Sequence, residues 1–203
     1  MVESATRSVP THKAAAWLKL LPPATRFSFN GDATARAAVI PLWGAEFSEE
    51  ACRANVYSTR ATLWLGPDEY LLLDTTAVPA AGNVSATRAI VATNSSTGSP
   101  DSSAALFDVI EGALSGIPHA LVDISHRQFA LEVRGPQAGV ILNGACPLDL
   151  NLSEFPVGMC TRTVFAKADI VLWRARADVF HVEVWRSFAG YVTGILTEIA
   201  SGL

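Results

Sequence analysis

Two stretches of this chain repeat one order of elements, and that repetition constrains the fold more than any other feature. In the second half Phe129, Leu131 and Val133 alternate with Ala130, Glu132 and Arg134, the period-2 pattern of a half-buried strand. Gly135-Pro136 then ends the strand and opens a helix, because glycine tolerates the turn and proline presets the first helical φ. Ala138, Ile141 and Leu142 give that helix an apolar face, and Asn143-Gly144 stops it. Residues 161–166 and 170–173 read as two strands around a tight turn at Lys167-Ala168-Asp169. Phe180, Val182 and Val184 alternate with His181, Glu183 and Trp185 in a further strand, and Ser187 is placed to cap the helix that follows. On that helix Phe188, Tyr191, Val192, Ile195, Leu196 and Ile199 recur at helical spacing as one continuous stripe.

The first half repeats the order more loosely. A strand over 26–29 leads through Gly31 to a short helical segment. Strands over 61–65 and 70–73 then flank the turn Gly66-Pro67-Asp68. A helix over 104–114 follows, with Leu106, Phe107, Ile110, Ala113 and Leu114 on its apolar face. The duplication predicts an α+β protein of two related ferredoxin-like modules, each an antiparallel sheet with helices on one face. The boundary falls near Gly116-Ile117-Pro118, giving modules over 1–117 and 118–203 that pack as neighbours or as one compact unit. Residues 94–103, rich in Ser, Gly and Pro, read as an exposed loop.

Half of the 203 residues are hydrophobic, so a sizeable core is available. With 15 basic against 19 acidic side chains and no basic run, the chain lacks the positive stripe that nucleic acid binding requires. No secretory leader opens it and no apolar run reaches the length of a membrane span, which predicts a soluble, cytoplasmic protein without a membrane partner. The segment over 13–21 is apolar enough to dock on something, though too short and too weakly charged for a membrane surface. Without a leader, the Asn-x-Ser sequons at Asn83, Asn94 and Asn151 are accidental.

Self-contained chemistry is hard to find. Neither a dinucleotide fingerprint nor a Walker loop occurs. The four histidines are scattered and no Cys-x-x-Cys pair exists, which disfavours zinc. Cys52, Cys146 and Cys160, odd in number and widely spaced, fit reduced, buried thiols better than a disulfide framework. Asp123, Ser125 and His126 resemble hydrolase ingredients, but neighbours on a strand point to opposite faces, which favours a structural role. His181 and Glu183 share a strand face, and a solvated or interface face accounts for them as well as a functional pair does. Trp17, Trp43, Trp64, Trp173 and Trp185 read as core anchors, with a few available for an interface. No catalytic, cofactor-binding or metal-ligating residue is assigned.

Four motifs carry a resemblance. They are Trp64-Leu65-Gly66-Pro67-Asp68-Glu69-Tyr70-Leu71-Leu72, Asp123-Ile124-Ser125-His126-Arg127, Cys146-Pro147-Leu148-Asp149-Leu150 and Arg186-Ser187-Phe188-Ala189. In this order, over residues 61–196, they resemble the gamma subunit of heterotetrameric sarcosine oxidase, with Tyr70 where tryptophan is expected in many relatives. The resemblance implies a complex that oxidatively demethylates sarcosine to glycine, forms hydrogen peroxide and passes the one-carbon unit to tetrahydrofolate. It further implies alpha, beta and delta subunits as partners, which hold FAD, FMN, NAD, zinc and the folate site. This chain would resemble the folate-binding domain of aminomethyltransferases in fold and act as a non-catalytic structural subunit. A free-standing folate-binding aminomethyltransferase-like protein is the alternative. On the subunit reading, part of the apolar surface stays uncovered in the isolated chain.

Overall fold

A computed structural model describes residues 16–74 and 101–203, with only the backbone of residues 101 and 102. In chain order the first elements are β1 (Leu18–Leu20), β2 (Arg26–Gly31), α1 (Ala33–Trp43), β3 (Ala54–Tyr57), β4 (Arg60–Gly66), β5 (Glu69–Asp74) and α2 (Asp101–Ala113). They are followed by β6 (His119–Asp123), β7 (Gln128–Arg134), α3 (Ala138–Asn143), β8 (Cys160–Phe165), β9 (Ala168–Arg176), β10 (Val179–Trp185) and α4 (Ala189–Ser201).

The strands form two five-stranded antiparallel sheets, ordered β3-β4-β5-β2-β6 and β1-β7-β10-β9-β8. Read from β6 and from β1 respectively, the two orders correspond position by position. In each, a strand feeds a helix, three antiparallel strands follow, and a second helix closes the unit. The α+β, two-module reading holds. The fifth position differs in origin, however. In the first sheet β6 follows α2, whereas in the second β1 fills the same place against β7. Strands therefore cross the 117/118 division in both directions. The apolar segment that looked fit for docking does dock: its residues 18–20 pair with Val133, Glu132 and Leu131.

Each sheet has helices on one face, and the other two faces pack together. Phe27, Phe29, Tyr70 and Leu72 of the first sheet meet Trp43 of α1 and Ile110 of α2. Leu131, Val133, Phe180, Val182 and Val184 of the second meet Ile141 and Leu142 of α3 and Val192 and Leu196 of α4. Between the sheets lie Leu63, Leu71, Leu73, Ala130, Cys160, Val171 and Trp173. Strands β7, β9 and β10 are thus buried on both faces. The alternation that suggested half-buried strands marks instead a change from a helix-covered face to a sheet-covered one.

Local chemistry sets several element ends. Asp32 caps α1 by accepting from the Ala35 N–H at 3.0 Å, and Gly44, at φ 90°, ends it with its N–H bonded to the Ile40 carbonyl. Gly144 follows α3 in a right-handed conformation, φ −62°, so a left-handed turn is not why glycine stands there. A Cβ at this position would lie 2.8 Å from two carbons of Ile199, so glycine leaves room for α4 to approach.

Four expectations change. The β8–β9 turn is Ala166-Lys167, with Ala166 at φ 52°, and Ala168 is a fully buried strand residue drawn into the core. Ser187 does not cap α4: residues Arg186–Phe188 form a 3₁₀ turn, Phe188 takes the cap position, and no side chain bonds there. Residues 101–103 already belong to α2, and the rest of the loop expected over 94–103 lies outside the described residues. Strands β1, β3 and β6 are not among the elements expected from the sequence. The sequons at Asn83 and Asn94 lie outside the described residues, and Asn151 is exposed.

Candidate functional site

Polar residues converge between the sheets. Antiparallel register aligns Lys19, Glu132, His181, Trp173 and Cys160 across all five strands of the second sheet. Residues directly opposite one another share a face, so this row looks toward the first sheet. The adjacent row runs Ala130, Glu183, Val171 and Arg162.

Glu183 is the hub. It accepts from Arg26 Nε of β2 at 2.7 Å on one carboxylate oxygen and from His181 Nε2 at 2.7 Å on the other. Arg26 Nη1 donates to the Ala24 carbonyl at 2.9 Å. All three side chains are buried. Burial pushes the Glu183 carboxyl up, but the His181 hydrogen bond and charge, joined by those of Arg26, outweigh it and hold the group below its ordinary value. The result is an ionised carboxylate held between the Arg26 guanidinium of the first sheet and the His181 imidazole of the second. Sealed from solvent, it can tie the sheets together but cannot meet a substrate. His181 and Glu183 do interact, on a sheet-to-sheet interface rather than a solvated face.

Asp123, Ser125 and His126 come together differently from a hydrolase set. Ser125 and His126 lie in the turn between β6 and β7, not within one strand. Ser125 Oγ accepts from the Arg26 N–H at 2.9 Å and donates to the Arg26 carbonyl at 3.4 Å, while the Ser125 N–H bonds Asp123 Oδ1 at 2.8 Å. His126 is exposed. The motif pins the β6–β7 turn to the strand that supplies the clamp's arginine. Beside it opens a cavity of about 130 Å³ whose walls include Pro22, Pro23, Arg26, Ser125, Gln128 and Arg186.

The Cys146-Pro147-Leu148-Asp149-Leu150 motif is held by Asn143, whose amide donates to the Leu148 carbonyl and accepts from the Leu150 N–H at 3.3 Å. Arg174 of β9 reaches the same segment, donating through Nη2 to the Leu150 carbonyl at 2.9 Å and through Nη1 to the Phe155 carbonyl at 2.5 Å. Burial lowers the pKa of this guanidinium. Sequence reasoning missed both Arg26 and Arg174. Their signal was a single cation inside an apolar strand run, Arg26-Phe27-Ser28-Phe29 and Val171-Leu172-Trp173-Arg174.

All three cysteines are unpaired thiols, Cys146 and Cys160 buried and Cys52 half-buried. Burial, with a smaller contribution from Cys52, pushes the Cys160 thiol up to about 12 against the opposing Trp64 carbonyl contact and Arg53. Among the described residues, no three His, Cys, Asp or Glu side chains are grouped to hold a metal ion, and no helix is long and apolar enough to cross a membrane. Trp43 and Trp173 are core anchors, whereas Trp185 is 46% exposed. Arg127 lies over its ring at 5.1 Å. Phe188 and Tyr191, 39% and 40% exposed, pack edge to face at 6.3 Å and extend the helical stripe beyond what the sheet covers.

Comparison with known proteins bears out the resemblance carried by the four motifs. The sarcosine oxidase gamma subunit family matches residues 105–201. The sarcosine oxidase gamma subunit of Corynebacterium sp. (strain U-96) is 28% identical over 148 residues, which are 73% of this chain and 60% of that protein. That of Arthrobacter sp. is 30% identical over 122 residues, 60% of this chain and 47% of that protein. The chain thus spans about half to three-fifths of the length of the curated relatives it matches. A chain of the heterotetrameric sarcosine oxidase from Corynebacterium sp. U-96, solved with pyrrole 2-carboxylate, has a similar structure. Its TM-score is 0.73 at 25% identity, with 91% of this chain and 83% of that chain covered. Aminomethyltransferase T of the glycine cleavage system from Bartonella henselae shares the fold, with a TM-score of 0.57 at 13% identity over 88% of this chain and 44% of its own.

Proposed function

We propose that this chain is the gamma subunit of a heterotetrameric sarcosine oxidase, acting as a non-catalytic structural subunit in the cytoplasm. The structural likeness to a chain of such an enzyme, which extends over 91% of this chain, is the observation that carries the reading. Its complex would oxidatively demethylate sarcosine to glycine, with hydrogen peroxide and methylenetetrahydrofolate as further products. Alpha, beta and delta subunits would hold FAD, FMN, NAD, zinc and tetrahydrofolate. The free-standing aminomethyltransferase-like alternative rests on shared fold alone.

The polar groups of the chain support a scaffold role. Glu183, Arg26 and His181 are spent on holding two sheets together, and Ser125 on fastening a turn. The exposed Trp185, Phe188 and Tyr191 supply aromatic surface of the kind enriched at protein interfaces. Co-expression with candidate alpha, beta and delta subunits, followed by affinity capture of the tagged chain, tests the proposal. Recovery of a stoichiometric, flavin-containing complex with sarcosine-dependent peroxide formation is expected. Peroxide formation by this chain alone, or its failure to assemble, would overturn the reading.

A further inference from the structure

The strongest unassigned feature lies on the helix side of the second sheet, where a cavity of about 210 Å³ opens between α3, the segment after the Cys146-Pro147 motif, and the β9–β10 turn. Arg174, Gly139, Asn143, Leu150, Asn151 and Asp178 are among the residues that line it. Arg174 is only 4% exposed. Its bonds to the Leu150 and Phe155 carbonyls satisfy two nitrogens, and its guanidinium lies 4.4 Å from the centre of the Phe180 ring. Those partners are neutral. Among the described residues no carboxylate lies within ion-pair distance of Arg174, and its buried Nε has no hydrogen-bond partner.

Arg26 provides the internal contrast: equally buried, it has the Glu183 carboxylate at 2.7 Å. A buried cation without a counter-charge is the costly arrangement, because hydrogen bonds to carbonyls do not cancel the net charge. A Cβ placed at Gly139 would stand in van der Waals contact with Arg174 Nη2 at 3.8 Å and with the Leu150 carbonyl at 3.6 Å, so this glycine lies directly beside the guanidinium. With Gly139 and Arg174 both in its wall, the cavity of about 210 Å³ has room for several waters or a small organic anion. Asp178, exposed at the rim, is the acid among the lining residues.

We propose that this cavity binds a small carboxylate, which supplies the counter-charge that Arg174 lacks. A planar guanidinium matches a planar carboxylate better than a spherical halide. Thermal unfolding of the full chain in rising acetate, at ionic strength fixed with chloride, tests this. The melting temperature should rise saturably, with roughly millimolar half-saturation for so small a ligand. Arg174→Gln should abolish the response. Because that change also weakens two carbonyl contacts, Asn151→Asp serves as the second variant: a carboxylate built into the cavity wall should reduce sensitivity to acetate about tenfold or more. A wild-type response to acetate no larger than that to chloride, or an undiminished response in Asn151→Asp, would overturn the proposal.

Discussion

Replacing Glu183 by alanine should be among the most damaging single changes in the chain, and the structure sets its size. The variant leaves Arg26 buried with only the Ala24 carbonyl for its Nη1 and removes the His181 partner. Removing one member of a buried pair costs about 3–5 kcal/mol, because the other charge stays desolvated and uncompensated. For a domain of this size each kcal/mol moves the melting temperature by about 2–4 °C, so a fall of about 6–20 °C is expected. Urea and thermal unfolding followed by circular dichroism measure it. Replacing both charges by apolar residues of similar volume, Arg26→Met with Glu183→Leu, should recover the part of the loss that comes from the orphaned Arg26 charge, leaving the smaller cost of the unpartnered His181 ring. The pH dependence has a definite sign. The folded carboxyl is held below its ordinary value of 4.5, so its stabilisation is present above that pH and is lost as pH falls through the folded value. Glu183→Gln should flatten this acid limb. A loss below about 1 kcal/mol in Glu183→Ala, or an acid limb unchanged in Glu183→Gln, would refute the electrostatic clamp.

Three further outcomes follow from other parts of the fold. With its thiol pushed up to about 12, Cys160 should resist iodoacetamide at pH 8 in the native chain while half-buried Cys52 reacts first, as peptide mass spectrometry of labelled protein would show. Gly144→Ala should cost about 1–3 kcal/mol by driving a Cβ into Ile199, and Ile199→Ala in the same chain should cost less than the sum of the two single changes in a denaturation cycle. The Ile117 carbonyl raises the His119 pKa against burial, and the Glu111 hydrogen bond and charge raise it further. Its stabilisation is therefore full below the unfolded value of 6.5 and fades as pH rises through the higher native value. Glu111→Gln should lower that native value in an NMR titration of the imidazole.

The periodicities of the chain were sufficient to place most of the elements. Alternation at Phe129–Leu131–Val133 and Phe180–Val182–Val184 located β7 and β10, and helical spacing from Val192 to Ile199 located α4, because side-chain direction follows backbone repeat whatever lies nearby. The short strands β1, β3 and β6 are not legible in the sequence because three to five residues carry little periodic signal. His181 and Glu183 were legible as sharing a face, but not what that face meets. Alternation reports that two faces differ; it does not tell water from a second sheet bearing Arg26, 157 residues away in sequence. Tertiary pairing alone decided that β1 completes the second sheet, that polar strand residues become a buried clamp, and that Arg174 stands desolvated beside a cavity. Each of these depends on contacts between segments far apart in the chain, whose free energy is absent from any local pattern.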